Sequence, residues 1–255
     1  MMNLKSLGSR LAAAAALSVA LALPSLANAA ELYSGSNSDV RTVLYYKAST
    51  AALSKFLPAG WELSPFTTAP SAGANLQVEF VDQLYAVDPK GTVGAPYRYV
   101  LFGIPVHKTG SSENVLMLFD GLSRGGAGPY GIAETAADDI NRGVRYSSSP
   151  TAVSEAWNFE GGGEKVSLQT EFERGPVTLE KGDSHVYSQL KPEFSRIYRY
   201  NEAIDVVKSG DANRLRSLSL KAEGGKLTAV FDGSESLVAV VSLPVYSRDI
   251  FVPQP

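Results

Sequence analysis

The sequence predicts a mainly β (α+β) domain with about three helices. Alternating or continuous apolar segments of strand length, separated by turn residues, fill most of the chain, and this pattern is typical of β-strands. Only three segments have the apolar spacing or the terminating residues of a helix. Because these segments do not alternate regularly with the strands, a doubly wound parallel sheet is not expected.

The first 29 residues form a targeting segment that precedes the predicted domain. Lys5 and Arg10 supply positive charge, residues 11–23 are apolar, and Ala27-Asn28-Ala29 has the small-x-small pattern of a cleavage site. These features predict a secretory signal peptide over residues 1–29 and a single domain over residues 30–255. We therefore expect a periplasmic or secreted protein.

An uncleaved membrane anchor is the alternative interpretation of this segment. A membrane-spanning helix needs about 20 apolar residues, and the run over residues 11–23 is shorter. The rest of the chain has no long apolar run, so we expect no membrane partner after cleavage.

The composition of the chain excludes several classes of protein and of binding site. The full chain has 255 residues, 44% hydrophobic and 19% charged, with no cysteine, two histidines and a formal charge of −3. It is too apolar for a disordered protein, and it offers neither disulfides nor a Cys- or His-rich metal site. Loss of Lys5 and Arg10 would lower the charge further, which argues against a nucleic-acid partner. We expect no metal and no cofactor.

Three helices are predicted. The apolar residues of segment 38–57 recur near a 3.6-residue period between Ser38 and Pro58. Segment 132–142 ends at Gly143, and segment 201–209 ends at Gly210 with Asn201 as a possible N-cap.

The predicted strands share either strict alternation or a short buried run. They cover residues 76–80, 97–106, 115–119, 166–172, 215–221, 227–231 and 237–241. The segment Ala222-Glu223-Gly224-Gly225-Lys226 predicts a hairpin between the two strands around it.

Residues 121–131 match two catalytic or binding motifs. Gly121-Leu122-Ser123-Arg124-Gly125 matches the nucleophile elbow of a serine hydrolase, but only His185 follows it and the required strand–helix units are missing. Gly126 to Gly131 match the glycine pattern of a dinucleotide site, although the preceding strand ends too early. We interpret both matches as chance in a glycine-dense loop, with Gly126, Gly128 and Tyr130 bordering a pocket.

The two histidines, His107 and His185, stand in separate segments without spaced metal-ligating partners. We expect both to be surface or hydrogen-bonded side chains rather than metal ligands.

Aromatic and arginine side chains are the candidates for a ligand pocket. Trp61, Trp157, Phe159, Tyr198 and Tyr200 could line a pocket or pack in the core. Strand alternation places Arg196, Tyr198 and Tyr200 on one face and Arg199 on the other. An inward arginine could bind a carboxylate, and two solvated arginines are the alternative.

The order of several segments resembles the acetoacetate decarboxylase-like superfamily. The resemblance spans about residues 55–245 and is carried by segments 57–62, 74–78, 97–106, 155–162 and 166–175. It implies a closed antiparallel β-barrel or cone around an apolar cavity, often assembled into oligomers.

The resemblance also implies a decarboxylation chemistry, from which this sequence departs. Family enzymes use a lysine that forms a Schiff base with a β-keto acid. Here Asn158-Phe159-Glu160 is followed by Gly161 and Gly162 where the lysine pair is expected. Lys165 is a weak candidate for that role, and a solvated pair with Glu164 is the alternative. At the position of the pocket glutamate, Tyr97-Arg98 is followed by Tyr99.

These expectations lead to one preferred function and two alternatives. We expect an exported protein that binds a small apolar or carboxylate ligand in an internal cavity, as a possible homo-oligomer. The alternatives are a decarboxylase-like lyase acting through Lys165, and a structural or interaction protein without a small-molecule site. The predicted pocket comprises Trp61, Arg98, Tyr99, Trp157, Phe159, Arg196 and Tyr198.

Overall fold

A computed structural model describes residues 30–146 and 150–254. The predicted signal peptide, residues 1–29, lies outside the described residues. Within the described ranges, no helix is both long and apolar enough to cross a membrane.

Strands dominate the described chain, which confirms the prediction of a mainly β fold. The only α-helix in the described ranges is α1, Thr50–Leu53, and two 3-10 helices span Ser54–Phe56 and Leu227–Ala229. The strands are β1 Glu31–Lys47, β2 Trp61–Leu63, β3 Leu76–Val87, β4 Tyr97–Lys108, β5 Val115–Ser123, β6 Ala133–Arg145, β7 Ala152–Gly161, β8 Glu164–Glu173, β9 Thr178–Ser188, β10 Ser195–Lys208, β11 Leu215–Gly224 and β12 Ser236–Pro253.

Seven strands are hydrogen-bonded in a closed ring. Their order is β5, β9, β10, β12, β1, β3 and β4, and the pairing of β4 with β5 closes it. The pairings are antiparallel except β5–β9, which is parallel. The ring therefore has an inner face and an outer face, and alternate residues of each strand point to one or the other.

The other long strands, β6, β7, β8 and β11, form a second unit that we call the outer sheet. The outer sheet joins the ring where β6 pairs in parallel with the last residues of β5. A continuous hydrophobic core contains side chains from the outer sheet and from β1, β3, β4 and β5 of the ring. In it, the rings of Phe80 and Trp157 lie 5.7 Å apart, so burial between the two units contributes to holding them together.

The first predicted helix, residues 38–57, is wrong for most of its length. Residues up to Lys47 belong to β1, and only Thr50–Leu53 is α-helical. The strand is covered on both faces, so Val43 and Leu44 are both buried on opposite sides. Apolar residues on both faces of a strand can imitate the spacing of a helix.

The second and third predicted helices are also wrong. Residues 132–142 fall largely in β6, and residues 201–208 belong to β10. Cross-strand pairing decides both cases: β6 pairs along its length with β7, and β10 pairs on both sides with β9 and β12. Gly143 and Asn201 are ordinary strand residues in these pairings, so neither caps a helix.

The second strand of the predicted hairpin, residues 227–231, is wrong as well. This segment begins with the 3-10 helix Leu227–Ala229, which buries Leu227, and Val230 just after it is also buried. The other predicted strands coincide with β3, β4, β5, β8, β11 and part of β12.

Candidate functional site

A cavity of about 1340 Å³ is bounded largely by the inner face of the ring. On two of the strands that enclose it, β10 and β12, lining residues alternate along the strand. On β10 these are Arg196, Tyr198, Tyr200 and Glu202, and on β12 they include Tyr246, Arg248 and Ile250. A cavity of this volume can hold a small organic molecule.

One part of the cavity wall is basic. Arg196 and Arg248 line it, and both lie close enough to Tyr130 to oppose the rise of its pKa. The Arg248 guanidinium lies 3.9 Å above the ring of Tyr198, and its Nε donates to Asn37 Oδ1 at 2.7 Å. Neither arginine has a carboxylate partner among the described residues. Both charges therefore remain available to an anion.

Two tyrosines complete the basic wall. The hydroxyl groups of Tyr130 and Tyr198 are hydrogen-bonded to each other, and both side chains are buried. Burial, together with the neighbouring Tyr198, raises the pKa of Tyr130 well above its usual value. The Tyr130 phenol therefore stays neutral and does not cancel the nearby arginine charge.

Another part of the wall contains an ion cluster around Arg41. The Arg41 guanidinium donates to both oxygens of Asp39, at 2.6 and 3.1 Å, and approaches Glu79 at 3.4 Å. It also lies 3.5 Å above the ring of Tyr246. Two carboxylates share this single arginine, so Arg41 is not a free cation for a ligand.

Glu202 adds a third carboxyl group near the Arg41 cluster. Its side chain lines the cavity and has no hydrogen-bond or ion-pair partner in the described chain. Burial raises the pKa of Glu202 to about 7; Arg41 opposes this rise, whereas Glu180 and Glu79 add to it. A charged ligand in the cavity would therefore shift the ionisation of the Glu202 carboxyl group.

The glycine-dense loop borders the cavity. Gly126, Gly128 and Tyr130 are lining residues, and the two glycines have positive φ angles of 77° and 58° that favour glycine. Ser123 is buried and hydrogen-bonded to the Tyr97 hydroxyl and to the Gly126 carbonyl. Within residues 30–146 and 150–254 no histidine contacts Ser123, so the geometry gives it no general base.

Each of the two histidines lies beside a glutamate carboxylate. His185 borders the cavity, with Nδ1 2.7 Å from Glu113, and His107 Nε2 lies 3.4 Å from Glu62. The described residues contain no group of three metal-ligating side chains.

The residues of the predicted pocket do not lie together in the structure. Tyr99, Arg196 and Tyr198 line the cavity, whereas Trp157 and Phe159 are buried in the core below the outer sheet. Trp61 packs against Tyr187, with ring centroids 4.9 Å apart. Arg98 is half-exposed and pairs with Asp82 at 3.0 Å.

Lys165 lies on the outer sheet, away from the ring. Its side chain is 61% exposed and its ammonium group is 3.0 Å from Glu160. The residues of the described chain that line the cavity include tyrosine and arginine but no lysine. An exposed, paired ammonium lacks the enclosed apolar surroundings of a Schiff-base lysine.

Sequence reasoning missed Arg41, Glu79, Glu202, Tyr246 and Arg248. A signal was present for three of them, Glu202, Tyr246 and Arg248. The alternation Arg196, Tyr198, Tyr200 continues to Glu202, but the predicted third helix interrupted it. Residues 246, 248 and 250 alternate in the same way, beyond the point where the predicted last strand ended.

A second cluster of charges lies where β5 meets β8. Asp120 and Glu164 are buried, and the backbone N–H groups of Gly121 and Lys226 donate to them. Burial raises the pKa of both carboxyl groups, that of Glu164 to about 7, and the neighbouring Asp120 adds to the rise at Glu164. The Lys226 ammonium donates to the Phe119 carbonyl at 3.1 Å, which anchors the turn after β11.

Comparisons with known proteins identify the fold. The sequence matches no protein-family model and no curated protein. The structure is similar to the enduracididine biosynthesis enzyme MppR complexed with pyruvate, with a TM-score of 0.52 and 11% identity over 87% of this chain and 89% of that one. A second MppR complex, with the condensation product of pyruvate and imidazole 4-carboxaldehyde, has a TM-score of 0.50 and 11% identity over 86% and 87%.

An acetoacetate decarboxylase-like enzyme from Sphingomonas wittichii RW1 is also similar, with a TM-score of 0.49 and 13% identity over 89% of this chain and 93% of that one. At such identities a similarity concerns the fold alone. The described chain therefore has the fold of the MppR structures. The fold expected from the resemblance to the acetoacetate decarboxylase-like superfamily is found among the similar structures.

Proposed function

We propose that this chain is an exported protein that binds a small carboxylate ligand in the cavity of its ring. The observation that carries the proposal is the pair of cavity-lining arginines, Arg196 and Arg248, neither of which has a carboxylate partner in the described chain. Guanidinium groups bind carboxylates through charge-assisted hydrogen bonds.

The surroundings of these arginines support binding of an organic anion. The Nε atom of Arg196 is buried without a hydrogen-bond partner in the described chain, and a ligand oxygen would satisfy it. Tyr198 and Ile250 lie on the same wall and provide apolar surface for the rest of the ligand.

The position of Lys165 supports binding over Schiff-base chemistry. A decarboxylase-like lyase would require a lysine inside an apolar cavity, and the exposed ammonium of Lys165 is paired with Glu160. An interaction protein without a small-molecule site is disfavoured because the ring encloses a cavity of about 1340 Å³.

Calorimetric titration with hexanoate tests the proposal. We expect the double variant Arg196→Gln, Arg248→Gln to bind hexanoate at least about tenfold more weakly than the wild type, because two charge-assisted contacts are lost. The matched control is Arg199→Gln, since Arg199 lies on the same strand but is exposed, does not line the cavity and already pairs with Asp183 and Glu31. Equal hexanoate affinity in the wild type and the double variant, or no binding to either, would contradict the proposal.

Export is tested separately. The proposed cleavage after Ala29 predicts that the protein recovered from the periplasm or medium begins at Ala30, which intact-mass measurement detects. Recovery of the uncleaved chain from the cytoplasm alone would refute export without affecting the proposed ligand.

A further inference from the structure

The cavity wall formed by β10 is charged differently at its two ends. Arg196, Tyr198, Tyr200 and Glu202 follow one another on the inner face. The two tyrosines therefore separate an arginine from a carboxyl group. On the neighbouring strand β12, Arg248 leans over Tyr198 and adds its charge to the arginine end, while Tyr246 lies directly opposite Glu202.

Strand geometry gives the separation between these charges. Tyr198, where the Arg248 guanidinium rests, is four residues before Glu202, which corresponds to about 13 Å along an extended strand. A hydrogen bond at each end takes up about 3 Å. A ligand that bridges the two groups therefore needs its own charged groups separated by about 7–8 Å.

The end of the cavity near Glu202 has more carboxyl groups than cations. Arg41 is the nearby cation, and it is already shared by Asp39 and Glu79. Glu202 faces this cluster without a partner in the described chain, and Glu180 lies opposite it on β9. Like charges directly opposite each other in a sheet are unfavourable, so an added cation would relieve the repulsion.

The buried phenol of Tyr246 also supports a cation site beside Glu202. Tyr246 lines the cavity, is 5% exposed, and lies opposite Glu202 in the β10–β12 pairing. Its hydroxyl has no hydrogen-bond partner among residues 30–146 and 150–254, so it can accept a hydrogen bond from a ligand ammonium group. The Tyr246 and Tyr200 rings are stacked with centroids 5.9 Å apart, which adds aromatic surface beside the cation position.

We propose that the ligand is a zwitterion, an amino carboxylate whose ammonium group pairs with Glu202 while its carboxylate binds Arg196 and Arg248. This inference rests on the proposed function, since it adds a cation site to the carboxylate site. The chain length that fits the two ends is that of 6-aminohexanoate rather than that of a short α-amino acid.

The raised pKa of Glu202 is consistent with a site that binds a cationic group. Burial raises its pKa to about 7, and the surrounding Glu180, Glu79 and Asp39 act in the same direction against Arg41. Pairing with an ammonium group would favour the ionised carboxylate and lower this pKa again.

Calorimetry at pH 8 with two matched probes, hexanoate and 6-aminohexanoate, tests the inference. The probes differ only by the terminal amine. We expect the wild type to bind 6-aminohexanoate about tenfold more tightly than hexanoate, the ratio that one charge-assisted hydrogen bond supplies. In Glu202→Gln this preference should fall to about unity, with hexanoate affinity retained. The matched control is Asp249→Asn, which removes an exposed carboxylate next to Arg248 and should keep the preference.

The outcomes separate this inference from the proposed function. Hexanoate binding equal to or tighter than that of 6-aminohexanoate would overturn the zwitterion and leave the carboxylate site intact. An amine preference that survives in Glu202→Gln would also overturn it. If the wild type binds neither probe, both the zwitterion and the carboxylate proposal are wrong.

Discussion

Arg142 of β6 donates two hydrogen bonds to one oxygen of Glu155 on β7, from Nη2 at 2.8 Å and from Nε at 3.1 Å. The other oxygen of Glu155 accepts from the Thr42 hydroxyl at 2.7 Å and from the Trp157 indole N–H at 3.0 Å. Since Thr42 belongs to β1, this buried carboxylate ties the outer sheet to the ring.

Removal of that carboxylate should destabilise the fold strongly. We expect Glu155→Ala to lower the free energy of unfolding by about 3 kcal/mol, because it leaves Arg142, Thr42 and Trp157 without their common acceptor. Urea unfolding followed by tryptophan fluorescence measures this. Glu160→Ala on the same strand is the control, since its exposed pair with Lys165 should contribute at most about 1 kcal/mol. Equal losses in the two variants would contradict the prediction.

The carboxyl pair Asp120–Glu164 predicts a pH effect on stability. The pKa of Glu164 is raised to about 7 in the folded chain, against an ordinary value of 4.5. The folded state therefore holds the proton more tightly than the unfolded state, and the free energy of unfolding falls as the pH rises from about 4.5 to 7.

Replacing Glu164 with a neutral side chain should remove its contribution to this pH dependence of stability. Between pH 5 and pH 8, we expect the free energy of unfolding of Glu164→Gln to rise by about 1–2 kcal/mol relative to that of the wild type. This is less than the full difference in pKa would give, because Asp120 shares in the effect and solvent screens part of it. Thermal or urea unfolding across this range measures the difference. A difference between variant and wild type that stays constant with pH would show that the carboxyl pair does not titrate as described.

The close approach of Gly125 to Tyr97 predicts a steric effect. A Cβ atom on Gly125 would overlap the Tyr97 hydroxyl, so Gly125→Ala should displace Tyr97 from Ser123 and cost about 1–3 kcal/mol. Gly210→Ala is the control, because its Cβ would meet nothing within 4 Å and it should be neutral or slightly stabilising. Melting temperatures measure both, and an unchanged value for Gly125→Ala would refute the predicted clash.

Phe159 distinguishes the predicted pocket from the observed cavity. It was expected to line the pocket, but it is 1% exposed in the core and stacks on Trp157. We therefore expect Phe159→Leu to lower stability by about 1 kcal/mol and to leave hexanoate affinity unchanged within about twofold. A large loss of affinity in a variant that still folds would place Phe159 at the ligand after all.

The fold class was predictable from the sequence because alternation in segments such as residues 166–172 is local and direct. From the sequence alone, residues that pack in the core beneath the outer sheet could not be distinguished from residues that line a ligand pocket. Trp157 and Phe159 occupy inward positions of a strand, and alternation does not tell which of two interiors a strand faces. Helix prediction failed for β1 because both of its faces are covered: Leu44 packs in the main hydrophobic core, and Val43 packs in a separate cluster with Leu243.

The candidate site was predictable only in part. Arg196 and Tyr198 were identified because they alternate on a recognised strand, whereas Arg41 and Arg248 come from strands whose inner positions carry mixed polar and apolar residues. The Arg41 cluster joins Asp39 to Glu79, a contact between β1 and β3 that depends on register. Register between distant strands is set by the whole fold.

The pairing of β1 with β12 has a consequence for the order in which the protein can form. These strands pair from Glu31 with Pro253 to Lys47 with Ser236, so the first and last strands of the described chain are neighbours. During synthesis, β1 and β3 exist long before the partner that closes the ring, and Arg248 arrives only with that last strand. The cavity of the ring is therefore a late product of folding, since its wall closes only after β12 has left the ribosome.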